Sequence, residues 1–464
     1  MYGQRFPNIV YYCDVDYLQR YRIAIGIFAL AVAVRLLFLP FSLFDHKPLE
    51  LPAKIAFDGY YQLAESLRLH HIFNRVEPPA PDSVRTPLYP LIIASVVYLT
   101  GSYKVFLFLQ MLLGSTIPLL GRKLAAMLLG SEKIAIATSI FLALEPFTAW
   151  LSTAILTETF FTFFFLAGCV TFFAFLRDKR TSQIVWTALL FGTATMIRPT
   201  IQFLPIIFCV VTLAYEWQPS RRLIGQLVLF FALFQLILFP WEYRNYRTFH
   251  NFNINVQMTT SIHAYLVPSA IALEKHISFE QATAQFYKQE GATSIEEINL
   301  GNAAQYQHRA LLELRKHPLG FLESFLIANF SFFTHDGYRT FTESYRWLSF
   351  GAVGVTAASV IRAPTLLIQL LSPGVILIIA GRLLWLMTSI LAIIGAYLFM
   401  RERKFAIESV LVPLIVLYFA ATSAIIGLAV TGRFRNPVNA FFAMFAAFAC
   451  IRLYDEYKKR LRRG

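Results

Sequence analysis

Charged side chains are scarce in this chain. Asp, Glu, Lys and Arg make up 15% of its 464 residues, against 57% hydrophobic and 16% aromatic. So little charge excludes a soluble globular protein, and a mean hydropathy of +0.56 asks for several membrane spans. Acidic residues are scarcer than basic ones, 27 against 41, for a formal net charge of +14. A nucleic-acid partner would draw that excess onto one surface. Here it falls in short clusters between apolar runs, so no nucleic-acid partner is expected. Four cysteines (Cys13, Cys169, Cys209, Cys450) show no metal spacing and no obvious exported partner, which predicts no disulfide. The chain also lacks a P-loop, a dinucleotide fingerprint, a nucleophile elbow and an HExxH pair, which argues against ATP or a nucleotide cofactor. The N-terminus has no short signal-peptide pattern, so the first apolar run, Ile23–Phe41, is expected to remain as an anchor. No internal repeat appears.

What the chain has is a regular succession of apolar runs, bounded by basic clusters at Arg20/Arg22, Arg122/Lys123, Arg177/Lys179/Arg180, Arg221/Arg222, Arg401/Arg403/Lys404 and Lys458–Arg463. Placing Arg20/Arg22 in the cytoplasm puts every one of these clusters inside. The runs then read as spans at 23–41, 103–121, 133–150, 159–176, 182–197, 200–216, 223–241, 382–400, 408–429 and 437–453. The expected fold is an all-α polytopic membrane protein of about ten spans, within a range of roughly nine to thirteen, with both termini cytoplasmic. The expected divisions are 1–241, a transmembrane module with a first external loop at 42–102; 242–380, an external helical segment; and 381–464, C-terminal spans with a basic tail. Residues 87–100 and 321–334 are apolar but short for a span, and read as interfacial helices.

Ionisable groups at the outer span ends are the functional candidates, because holding charge at a membrane costs free energy. Asp58 lies in "AFDGYYQLAESL", whose apolar positions recur at helical spacing, so it should fall in the first helical turn. Its bland reading is a helix cap; its functional reading is a general base. Glu158, in "ILTETFFTFFFLAG", reads either as part of a capping box or as a second carboxylate across a cavity from Asp58. Such a pair could orient an acceptor or share a divalent cation, the one cofactor the pattern leaves open. Glu145 is a weaker candidate nearby. Arg85, Arg198, Arg244, Arg247, Arg433 and Arg435 run against the positive-inside rule, and a guanidinium suits a lipid phosphate at this depth. The bland alternative for each is snorkelling to ordinary headgroups. Tyr60, Tyr61, Arg198 and His263 are expected in the substrate cavity. Arg35 lies inside the first span, facing the protein interior, with no evident partner.

Together, "FDGYYQLAESL", "RTPLYPLIIA", "LTETFFTFFFLAG", "MIRPT", "FPWEYRNYRTF" and "TGRFRNPVNAFFAMFAAF" resemble bacterial GT-C glycosyltransferases of the protein O-mannosyltransferase and lipid A aminoarabinose transferase type. The pieces occur in family order along nearly the whole chain. The resemblance implies a GT-C bundle, a polyprenyl-phosphate sugar donor, Asp58 as catalytic base and Arg244 as a donor-phosphate ligand; the outer arginines Arg85, Arg247, Arg433 and Arg435 are expected, from their place and chemistry, to help hold the phosphate. Two features depart from the relatives. Protein mannosyltransferases carry an acidic pair where this chain has Asp58–Gly59, and the "WWD" signature of oligosaccharyltransferases is absent. The second departure favours a monophosphate-linked monosaccharide over a diphosphate-linked oligosaccharide.

The expectation is an inverting glycosyltransferase on the outer face of the bacterial cytoplasmic membrane, passing a monosaccharide to a lipid, glycan or protein hydroxyl, with membrane lipids around it. One alternative is a lipid-linked sugar transporter or flippase, which would carry ionisable groups near the midplane, broken helices and a repeat. Another is a polysaccharide polymerase or ligase using diphosphate donors.

Overall fold

The computed structural model describes residues 17–39, 58–75, 81–290, 297–340, 373–403 and 406–462. Cys13, Lys404, loop residues 42–57 and residues 341–372 of the expected external segment lie outside the described residues. Within them every regular element is helical. Among the described residues five helices are long and apolar enough to cross a membrane: Tyr103–Leu129, Glu158–Asp178, Arg221–Phe249, Gly374–Glu402 and Gly432–Leu461. Shorter apolar helices join them at Leu88–Thr100, Thr181–Ile197, Pro199–Tyr215, Pro318–Thr334 and Glu408–Ala424.

Local chemistry sets these ends. Ser102 caps Tyr103–Leu129 through its hydroxyl, which accepts from Lys104 N at 3.2 Å, and Gly130 closes the same helix in the left-handed region. Ser220 caps Arg221–Phe249 in the same way, accepting from Leu223 N at 3.2 Å. In lipid the hydrophobic effect does not drive helices together, so packing contacts must do it. Glu158–Asp178 supplies them with phenylalanines. Phe165 stacks on Phe191 at 6.1 Å and meets Phe419 edge-on at 5.1 Å, while Phe172 lies 4.3 Å from Phe208. One phenylalanine-rich helix therefore seats Thr181–Ile197, Leu204–Tyr215 and Glu408–Ala424 against it.

Several boundaries differ from the sequence reading. The first span, expected at 23–41, is a helix over Tyr17–Leu36. The run expected at 133–150 breaks at Glu145–Pro146 into Glu132–Leu144 and Pro146–Leu151. Pro146 cannot donate a helical hydrogen bond, and Glu145 caps the second piece instead. Gly374–Glu402 starts ahead of the expected residue 382 and runs through the expected division at 380. The two short segments are helices, at Leu88–Thr100 and Pro318–Thr334.

Residues 242–340 include a smaller helical layer. Val267–Lys275, Phe279–Glu290 and Ala303–Lys316 pack around Ile262, Leu266, Ile271, Phe286 and Ala310.

Candidate active site

Asp58 does not fall in the first helical turn. The helix begins at Tyr60, and Gly59 takes the cap position with no side-chain capping bond. Gly59 has φ +78°, where an L side chain costs about 1–2 kcal/mol. A Cβ there would also meet Arg75 Cδ at 2.9 Å. This reversed turn frees Asp58 from the helix end, so capping does not account for it. Its carboxylate instead accepts from Arg433 Nη2, across 375 positions of chain.

Glu158 is the first residue of its helix and fully buried, and Thr157 before it makes no side-chain cap. Its Oε1 accepts from Arg433 Nε and, at 2.6 Å, from Arg198 Nη1. Oε2 is buried with no hydrogen-bond partner among the described residues. One guanidinium thus bridges the two candidate carboxylates, with a second on the inner one. Arg85 adjoins them: its Nε donates to the Asp58 backbone carbonyl at 3.1 Å, and its guanidinium lies 5.1 Å over the Tyr60 ring. Burial alone would raise the Asp58 pKa. The Arg433 guanidinium, helped by Arg85 and Arg198, outweighs burial and holds the carboxyl down at about 2.

Three guanidiniums face two carboxylates here, leaving one positive charge over. That balance suits an anion. It does not suit a divalent cation, because Arg433 occupies the place between the carboxylates where one would bind. Among the described residues no group of three or more His, Cys, Asp or Glu side chains gathers to hold a metal ion.

The remaining sequence candidates are spread more widely. Tyr60 is buried, edge-on to Tyr89 at 5.2 Å, and Tyr61 tilts against Tyr103 at 5.0 Å. Arg244 is one loop away from the cluster. Its Nη1 donates to the Asp82 carbonyl at 3.0 Å, and its guanidinium lies 4.6 Å over Trp241. Arg247 is exposed. Arg435 is buried and turned away from Arg433. It donates to the Phe332 and His335 carbonyls, both at 2.8 Å, and lies 3.6 Å over Trp385. His263 is buried in a different layer, among Phe286, Tyr287 and Tyr306. Glu145 caps Pro146–Leu151, accepting from Thr148 N at 2.6 Å. Arg35 is buried, donates to the Ala31 carbonyl at 3.2 Å and feels the Glu145 charge.

Asp82 escaped sequence reasoning. It accepts from the backbone nitrogens of Val84 and Arg85, both at 2.9 Å, and from Arg75, so it shapes the turn that presents Arg85. An aspartate in the turn-forming stretch "PAPDS" was the available signal.

The described residues thus form a helical bundle, with several helices apolar enough to cross a membrane, around a carboxylate–guanidinium cluster drawn from four distant segments. Residues 87–255 match the family described as dolichyl-phosphate-mannose-protein mannosyltransferase. Over that stretch the chain is similar to a family of mannosyltransferases that use a lipid-phosphate-linked sugar. Its structure is similar to the crystal structure of the Archaeoglobus fulgidus oligosaccharyltransferase in the apo form, with a TM-score of 0.52 at 14% identity, covering 96% of this chain and 52% of that one. At that identity the likeness shows the fold, and this chain spans about half the length of the archaeal protein. No curated protein is significantly similar to it.

Proposed function

We propose that the enzyme moves one monosaccharide from a polyprenyl monophosphate to an acceptor hydroxyl, with inversion, in a single displacement. The observation that carries this reading is the Arg433 bridge between Asp58 and Glu158. In the step, the bond from the anomeric carbon to the phosphate oxygen breaks and the acceptor oxygen bonds to that carbon. The leaving electron pair stays on the phosphate, where Arg433 and Arg85 stabilise it. Asp58 takes the acceptor proton, and its carboxylate is ionised throughout the working pH range. Arg433 cannot hold the phosphate and mask Asp58 at once, so donor binding draws it off and frees the base. The buried, unpartnered Oε2 of Glu158 is the atom left to accept from the acceptor hydroxyl and orient it once Arg433 is drawn off. Arg244 supports the loop carrying Arg85, with Arg247 beyond it at the surface.

The family name supports a mannosyl donor and a protein acceptor. The basic clusters support about ten spans, with both termini cytoplasmic and the site on the outer face of the bacterial cytoplasmic membrane. On this reading the catalytic module lies within 1–241, and Gly432–Arg435 contributes Arg433.

Asp58→Asn tests it. The full chain in lipid nanodiscs, given polyprenyl-phosphate mannose, should lose about 10²–10⁴ in turnover with little change in melting temperature. Turnover near wild type in the folded variant would refute Asp58 as the base.

A further inference from the structure

Tyr103–Leu129 buries one long polar side chain completely, the amide of Gln110. A buried amide in an apolar helix is costly unless its hydrogen bonds are met. Here they are met from two directions. Its Oε1 accepts from the Tyr89 hydroxyl at 2.7 Å, and its Nε2 donates to the carbonyls of Ser152 at 3.1 Å and Ala154 at 2.6 Å.

Both sides lead to the site. Ser152 and Ala154 belong to the non-helical stretch between Pro146–Leu151 and Glu158–Asp178, and this stretch delivers Glu158. The carbonyls of such a stretch have no full set of helical partners, so Gln110 supplies what the backbone does not. On the other side, the Tyr89 ring supports Tyr60, two residues after Asp58, edge-on at 5.2 Å. The same ring packs against Phe106 and Phe160 at 5.9 and 5.8 Å. One amide therefore ties the backing of Asp58 to the backing of Glu158.

We infer that Gln110, anchored by Tyr89, is a positioning residue that sets the separation of the two site carboxylates. It touches neither substrate nor reacting atoms. The inference rests on the reading of Asp58 and Glu158 as the catalytic pair. Gln110→Glu keeps the shape but replaces the two donors with an acceptor facing two carbonyls, so the Glu158 approach must shift. A misplacement of about 1 Å typically costs on the order of 10²-fold in rate. Tyr89→Phe removes one hydrogen bond and keeps the ring packing, and a net loss of about 1 kcal/mol corresponds to roughly fivefold.

The test uses the full chain in nanodiscs, with a short-chain polyprenyl-phosphate mannose as donor. Melting temperature, donor KM and kcat are measured for Gln110→Glu, Tyr89→Phe and Glu158→Gln. The expected pattern is a fall in kcat for both network variants, larger for Gln110→Glu, with donor KM within about twofold. A merely structural role would lower melting temperature and folded yield while leaving kcat per folded molecule unchanged. That result overturns the inference. If Gln110→Glu does not fold, Tyr89→Phe decides: wild-type kcat in that variant overturns it. Glu158→Gln separates the two levels. Full turnover there removes the catalytic pair itself, whereas impaired Glu158→Gln beside normal network variants removes only the positioning role.

Discussion

Replacing Arg433 with Lys perturbs the one side chain that joins the halves of the site. Its guanidinium meets Asp58 through Nη2 and Glu158 through Nε, at 19% side-chain exposure, with Glu158 fully buried. When Arg433 turns to the donor phosphate, a lysine ammonium offers a single point charge in place of the bidentate fork, so one charge-assisted contact to the phosphate is lost. Such a contact is worth about 1.5–3 kcal/mol, which predicts donor binding weaker by roughly 10- to 100-fold. Arg433→Met goes further. Asp58 loses the group that outweighs its burial, so its pKa moves up. In the wild type a carboxyl at about 2 stays ionised at ordinary pH, so kcat/KM, which reports the free enzyme, should show no acid limb from Asp58. In Arg433→Met such a limb should appear, with activity falling as pH drops through the raised pKa. Glu158 keeps Arg198, so this variant strands one carboxylate rather than two. The assay is donor affinity by titration of polyprenyl-phosphate mannose, beside kcat/KM from about pH 3 to about 8, a range that spans the ordinary carboxylate and histidine values. Unchanged donor affinity in Arg433→Lys, or a flat profile in a folded Arg433→Met, would refute the bridge as a working part of the site.

Chelation should leave turnover intact, since Arg433 stands between the carboxylates; loss of activity in EDTA, restored by a divalent cation, would contradict this. Gly59→Ala should destabilise the fold by about 1–2 kcal/mol from its positive φ, read as a lower melting temperature, and should also reduce turnover by moving Asp58. His263 has its pKa lowered to about 4 by burial first and then by Arg309. The unfolded chain takes up that proton near 6.5 and the folded one near 4, so stability is full above 6.5 and falls as pH drops towards 4. His263→Phe should flatten the melting-temperature difference between pH 7 and pH 5, and an unchanged difference would show that another group governs it.

Much of the helical order was legible because long apolar runs have few other solutions in a membrane. Glu158–Asp178 and Thr181–Ile197 fall where hydropathy put them, within a few residues, while Arg221–Phe249 starts as expected and runs well past its expected end at 241. The break at Pro146 was harder, since the apolar run continues on both sides and Glu145 becomes a cap only once the chain turns. In the site, Asp58, Glu158, Arg198 and Arg433 were each singled out as ionisable groups at span ends. Glu158 was read across from Asp58, but that Arg433 bridges the two could not be read, because the pairing spans 375 positions. Gln110 and Asp82 gave weaker signals still. Their importance lies in which backbone groups they satisfy, and that depends on folds of the chain far from either residue. Arg433 and Arg435 look equivalent in "GRFR", yet only the structure tells them apart.

That difference has a mechanical consequence. Gly432–Arg435 is a single helical turn, and its two arginines grip separate bodies. Arg435 is hooked over the carbonyls of Phe332 and His335, at the end of Pro318–Thr334 and just beyond it. Gly432 leaves room for this, since a Cβ there would meet the His335 carbonyl at 2.6 Å. The turn therefore joins two sets of contacts through one short piece of backbone, the end of Pro318–Thr334 on one side and the Asp58–Glu158 pair on the other.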